Sequence, residues 1–273
     1  MFDELKRKMN RFWNDDRTLE QTDPDYIEVF SHFAYDEVVN EPAASDPELD
    51  DRLRSLAIAA ALLGAQGLDA FTMLLPVMSR SGLESPAIKE LIYQATAYIG
   101  FAGALPFLKA MNLYLNAANV AQPFASATTV DRQNREQAGA EKQVEIFGEH
   151  MQHSAQHGSQ ETAHIRRWLT ANCFGDYYTR AVLTTREREL ATLCMLTGLG
   201  SAEQQIKAHV AGNLHIGNSR QLIIAVLSQL VPYIGYPRVL NALSCLPDSP
   251  ESADSSDTDS SATSADSENS AAE

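Results

Sequence analysis

Apolar residues recur three and four positions apart along most of the chain, and few segments alternate with a period of two, which predicts an all-α fold with negligible strand. The second half carries the pattern most cleanly. Thr184 and Glu187 have the spacing of a capping box ahead of Leu190, Leu193, Cys194 and Thr197, and Gly198-Leu199-Gly200 is expected to stop that helix. Another helix is predicted from about Ala202 to His215, with Ile206, His209 or Val210, and Leu214 on neighbouring faces and Gly217 at its end. Asn218, with Gln221 three positions on, is expected to cap a third helix whose Leu222, Ile223, Val226, Leu227 and Leu230 form a wide apolar stripe. Pro232 and Gly235 close it, and Pro237 suits the first turn of a short helix carrying Val239, Leu240 and Leu243.

The first half follows the same plan. Helices are expected from about Asp51 to Leu63 and from about Leu68 to Arg80, with a third capped at Ser85 and opened by Pro86. The residues themselves repeat: Leu49 to Leu56 aligns with Leu183 to Leu190 at a separation of 134, and Gln94 to Phe101 with Gln229 to Tyr236 at 135. Gly64 meets Gly198 and Gly82 meets Gly217, which points to an internal duplication with one single-residue gap. A further helical piece precedes each copy, Phe33 to Val39 in one and Cys173 to Arg180 in the other, with an insertion in Asn40 to Asp46. The expected organisation is an N-terminal helical arm (1–24) patterned by Phe2, Leu5, Met9 and Phe12, a degenerate first copy (25–118), a linker (119–131), a second copy (132–247) and an acidic tail (248–273).

Charge changes the picture only at the end of the chain. The formal net charge is −15, and eight of those charges fall after Pro247, in a Ser, Ala and Thr-rich segment with neither Lys nor Arg, so a disordered tail is expected. The remaining body is mildly acidic, which argues against nucleic acid as a partner. No uninterrupted apolar run approaches the roughly 20 residues of a membrane span, and the start does not read as a secretion signal. A cytoplasmic protein with no membrane partner is therefore expected. Cys173, Cys194 and Cys245 are odd in number and widely spaced, so neither a disulfide framework nor a Cys-x-x-Cys pair is present. His150, His153 and His157 share one face if helical, which makes a metal site sterically possible, but the surrounding glutamines suggest an exposed face and no metal is assigned.

Three stretches together carry a resemblance: Arg135-Glu136-Gln137-Ala138-Gly139; Trp168 through Asn172-Cys173-Phe174-Gly175-Asp176-Tyr177-Tyr178-Thr179-Arg180; and Leu183 through Arg186-Glu187-Arg188-Glu189-Leu190. With His209, Leu214, Gly217, Gln229, Tyr233 and Gly235-Tyr236-Pro237 following at spacing, the chain resembles the carboxymuconolactone decarboxylase family, well over about Arg132 to Leu246 and weakly over about Asp25 to Asn116. The resemblance implies the helical fold shared with AhpD-type alkylhydroperoxidases, assembly in trimers or hexamers, and cofactor-free loss of carbon dioxide from a carboxylated lactone. Peroxidase-type relatives use a Cys-x-x-Cys pair helped by a Glu and a His; those helpers project onto Glu189 and His209, but the cysteine positions fall near Ala202 and Gln205, where there is no thiol. Thiol peroxidase chemistry therefore lacks its nucleophile.

Decarboxylation needs an electron sink, donors for carboxylates, and an acid to protonate the resulting carbanion or enolate. A His near neutral pKa suits the proton step and a carboxylate can orient it, which makes His209 and Glu189 the catalytic candidates. Arg186, Arg180 and Tyr178 are the candidates for binding a small carboxylated substrate; Arg186, Arg188 and Lys207 fit either positive charge for an acidic substrate or solvated helix faces. The first copy has Ser55 and Leu74 where the second has Glu189 and His209, so one active half per chain is expected, with the first contributing shape and contacts. Three chains, each of two fused copies, would form a pseudo-hexameric ring. The alternative is a non-catalytic helical oligomer that binds a small acidic metabolite or a protein.

Overall fold

A computed structural model describes residues 18–152 and 158–247. Residues 1–17 of the N-terminal arm, with Phe2, Leu5, Met9 and Phe12, as well as His153, His157 and the acidic tail, lie outside the described residues. The main helices are α1 (Pro24–His32), α2 (Asp51–Gly64), α3 (Leu68–Arg80), α4 (Ser85–Ala117), α5 (Arg135–Phe147), α6 (Ala163–Trp168), α7 (Thr185–Leu199), α8 (Glu203–His215), α9 (Arg220–Ile234) and α10 (Tyr236–Leu243). Among the described residues there is no strand.

Helices α2 and α7 form the centre. Every residue of α2 from Ser55 to Gly64 is buried, as is every residue of α7 from Arg188 to Gly198. Both are therefore core helices closed on all sides. They cross at backbone distance: a Cβ on Gly64 would overlap the Met195 carbonyl, and one on Gly198 would overlap the Ala61 carbonyl. The Gly198-Leu199-Gly200 stretch ends α7 as expected, with Gly200 as the cap, and Gly198 in addition lets α2 approach. The Ala57 to Ala61 stretch of α2, interrupted only by Ile58, keeps that helix thin enough for the crossing.

Polar ends anchor the pair. Thr184 and Glu187 make the anticipated capping box at the start of α7, and Asp50 accepts from the Leu53 N–H at 2.7 Å at the start of α2. Arg52 pairs with Glu187, and Arg186 reaches Glu48 at 2.7 Å, so the two helix starts are cross-linked by charge. Elsewhere the caps moved by one residue. Ser219, rather than Asn218, caps α9 by accepting from Leu222 N–H at 2.9 Å, and α4 starts at Ser85 without a side-chain cap from Glu84. Asn218 is buried and serves a different bond, described below.

By length and composition α4 is apolar enough to cross a membrane. It is, however, two helices joined at Gly100, whose φ of 70° no L side chain adopts comfortably, and its first part carries the buried polar residues Lys89, Glu90 and Gln94. Gly235, the residue aligned with Gly100, has nearly the same conformation at φ 83° between α9 and α10. The segments preceding the two central helices also share a form: Phe33–Glu37 and Leu169–Tyr177 are both π-helical. A π turn shifts the register of side chains within a helix, and such turns cluster at functional sites.

Gly198→Ala is expected to lower stability by about 3 kcal/mol, because the added methyl meets rigid backbone rather than a movable side chain. Urea denaturation measures this; an unchanged midpoint and slope would show that α2 and α7 are not held at backbone distance in solution.

Candidate functional site

Glu189 and His209 meet. The first is on α7 and the second on α8, and His209 Nδ1 lies 2.7 Å from Glu189 Oε2, with Glu189 fully buried and the His209 side chain 10% exposed. The approach requires Gly212: a Cβ there would sit 2.9 Å from the Phe147 ring and 3.1 Å from Glu189 Oε2. Asn213 fixes the two helices together, donating to the carbonyl oxygens of His209 at 2.7 Å and Glu189 at 3.1 Å. Its own side-chain oxygen accepts from Asn218 at 2.7 Å, which explains why Asn218 is buried instead of capping α9.

With Glu189 ionised, Nδ1 carries a proton donated to the carboxylate, and Nε2 is left to exchange protons with a ligand. Among the described residues no hydrogen bond engages Nε2. The other carboxylate oxygen, Glu189 Oε1, is buried and has no hydrogen-bond partner among the described residues. Leaving such an atom unpaired costs about 1–3 kcal/mol, so this carboxylate is not placed for stability.

Aromatic rings shape the surroundings of the imidazole. Phe147, from the end of α5, and Tyr98, from α4, stand edge-on to His209 with ring centres 5.5 and 6.2 Å away. Tyr98 and Tyr178 share a hydrogen bond at 3.0 Å, and Tyr178 also bonds Thr192. Burial, reinforced by the nearby Glu189, pushes both phenols well above their ordinary pKa, so they stay protonated donors. Cys173 sits in the same cluster, its thiol 3.7 Å from the Tyr98 hydroxyl, and burial pushes it up to about 12. A thiol held protonated is a poor nucleophile.

Tyr178 thus joins the Glu189–His209 cluster, through Tyr98 and Thr192. The two candidate arginines are placed elsewhere, each bonded to other residues of the chain. Arg180 grips Glu90 with two bonds of 2.7 Å, reaches Thr128 at 2.9 Å and covers the Tyr93 ring; the Glu90 bonds raise its pKa. Arg186 donates to Asn218 at 2.9 Å, Gly217 O at 3.1 Å and Glu48 at 2.7 Å. Arg188 is not on a solvated face: it is fully buried, bonded to Gln94 Oε1 and Arg180 O at 2.8 Å each, and burial lowers its pKa against the opposing pull of Glu90.

Tyr98, Phe147, Gly212 and Asn213 were not identified from the sequence. Tyr98 was visible as half of the Tyr98/Tyr233 match, but its distance of 111 positions from His209 hid its role. Gly212 and Asn213 had a local signal, lying three and four residues after His209 on the same helical face.

Residues 163–247 match the model of the carboxymuconolactone decarboxylase family. The likeness to this family is confined to that segment. It runs from α6 through α10 and contains Glu189 and His209, while Tyr98 and Phe147 come from outside it. A search of curated proteins found no match. The family resemblance anticipated from the residues thus holds for residues 163–247.

Cys173 is expected to react with iodoacetamide about a thousandfold more slowly than a free cysteine at pH 8, since a shift from 9 to about 12 leaves that much less thiolate. Peptide mass spectrometry over a time course measures it. Fast alkylation of Cys173 in the folded protein would mean the cluster is open and its thiol activated.

Proposed function

We propose that this protein catalyses a cofactor-independent decarboxylation, or closely related proton transfer, on a small carboxylated lactone or keto acid. The observation that carries the reading is the buried Glu189–His209 pair, which leaves one imidazole nitrogen for the substrate. When the bond to the carboxylate carbon breaks, carbon dioxide leaves and the electron pair passes into the neighbouring carbonyl system as an enolate. His209, protonated on both nitrogens, gives its Nε2 proton to the carbon, and Glu189 stabilises the imidazolium beforehand. Water then restores the proton. The protonated phenols of Tyr98 and Tyr178 are suited to donate toward the developing oxyanion or a substrate carboxylate.

The family match to residues 163–247 is compatible with this chemistry, and the missing Cys-x-x-Cys and the protonated Cys173 weigh against thiol peroxidation. We further propose that the chain is two copies of one unit, the first degenerate, assembling as three chains in a pseudo-hexameric ring. Reciprocal contacts between aligned positions support the duplication: Arg188 bonds Gln94 at 2.8 Å and Arg54 bonds Gln229 at 3.1 Å, with Arg54 aligned to Arg188 and Gln94 to Gln229.

Carbon dioxide release over a panel of carboxylated lactones and β-keto acids tests the reaction. His209→Ala is expected to lower kcat at least about a hundredfold, and Glu189→Gln about tenfold or more, on a substrate the protein turns over. Turnover unchanged in both variants would end the assignment. Sedimentation showing a monomer would remove the ring.

A further inference from the structure

In the first half, a cavity of about 480 Å³ lies where alignment places the counterpart of the Glu189–His209 cluster. Its walls include Arg54, Ser55, Ile58, Val77, Tyr35 and Tyr233. Arg54 aligns with Arg188, Ser55 with Glu189, and Tyr233 with Tyr98. A smaller recess beside it is lined by Leu74, which stands where His209 would. Replacing a glutamate by a serine removes three heavy atoms, and the space remains open rather than filled by a neighbouring side chain.

The electrostatics differ between the halves in a way that favours a ligand. Arg188 is closed off by the buried Glu90 from α4, and the residue aligned with Glu90 is Ala225, which carries no charge. The carboxylate that Arg54 meets is therefore Asp51, which is 72% exposed and so offers a weak, screened pairing. Arg54 donates to Asp51 and Gln229 through Nη1 and Nε, and Nη2 has no hydrogen bond among the described residues. The Tyr35 and Tyr233 side chains are bonded to each other, and the Tyr233 phenol lines the cavity, where its hydroxyl can face a ligand. Ile58 and Val77 supply an apolar wall, and the size suits a small molecule.

We propose that this cavity is a second ligand site, which binds a small monocarboxylate with a flat apolar body and does not turn it over. The carboxylate pairs with Arg54 and a phenol, and the body lies against Ile58 and Val77. With Leu74 and Ser55 in place of the histidine and glutamate, the cavity lacks the imidazole–carboxylate pair of the second half. The site does not depend on the reaction proposed for the second half.

Benzoate is the probe, with benzyl alcohol as its uncharged counterpart, titrated calorimetrically into the full chain carrying His209→Ala so that binding to the imidazole of the other cluster is removed. The expected result is saturable benzoate binding at about millimolar or tighter, and at least about tenfold weaker binding of benzyl alcohol. Arg54→Gln is expected to weaken benzoate at least about tenfold, and Val77→Trp, which fills the cavity without touching the guanidinium, to abolish it. Circular dichroism establishes that each variant is folded; should Arg54→Gln not fold, Val77→Trp and the benzyl alcohol comparison decide. No saturable benzoate binding in the His209→Ala chain, equal binding of benzyl alcohol, or binding that survives substitution in a folded variant overturns the proposal. Because no turnover is read, a protein without decarboxylase activity would leave this result intact.

Discussion

The close crossing of α2 and α7 is the constraint on which the rest depends. Two helices touching backbone to backbone at Gly64 and Gly198 leave no room for side chains between them, so each must bury its remaining surface against helices contributed by both halves of the chain. The polar residues on α7 are consequently sealed in, and each needs a partner within reach. Arg188 finds Gln94 and Arg180 O, Thr192 finds Gln94 and Tyr178, and Glu189 finds His209. Only the last of these leaves an oxygen unpaired, at Oε1, alongside Arg188 Nε on the same helix. A buried layer this well connected is rigid, and rigidity is what a proton carrier needs if its geometry is to be set before substrate arrives.

The same crossing lets one scaffold hold two different environments. Aligned arginines face aligned glutamines across the centre, yet Glu90 neutralises one and Ala225 leaves the other without a buried counter-charge. Burying a guanidinium with a carboxylate and carbonyl oxygens makes a structural element; leaving it with an exposed Asp51 and an open space makes a recognition element. The change at three positions, Ser55, Leu74 and Ala225, is small in sequence and large in electrostatics.

Local features were legible because their causes are local. The Thr184–Glu187 box, the limits of α3 and the all-helical class follow from spacing of a few residues, and the structure has them. Glu189 and His209 were legible as candidates because a family resemblance marked them, and periodicity alone leaves a buried His with a structural reading. What escaped was set by packing. Gly198 reads as a helix stop until α2 is seen against it, Asn218 reads as a cap until Asn213 claims it, and Arg188 reads as a solvated charge until Gln94 and Glu90 close around it. In each case a residue that reads in a local role serves a long-range one, and for the first two a neighbouring residue, Gly200 or Ser219, does the local work.

The boundaries of the family match and of the site do not coincide, and that bears on what the first half is for. Residues 163–247 supply the carboxylate and the imidazole, but the phenol of Tyr98 comes from α4 and the ring of Phe147 from α5. Gln94, one turn before Tyr98, bonds Thr192 and the carbonyl of Arg188, so the position of α4 sets the position of Tyr98 relative to Glu189. The first half has Leu74 and Ser55 at the positions aligned with the histidine and glutamate, yet it keeps these contacts. Its Gln94 and Tyr98 remain bonded into the second half, which ties the fold of one half to the chemistry of the other.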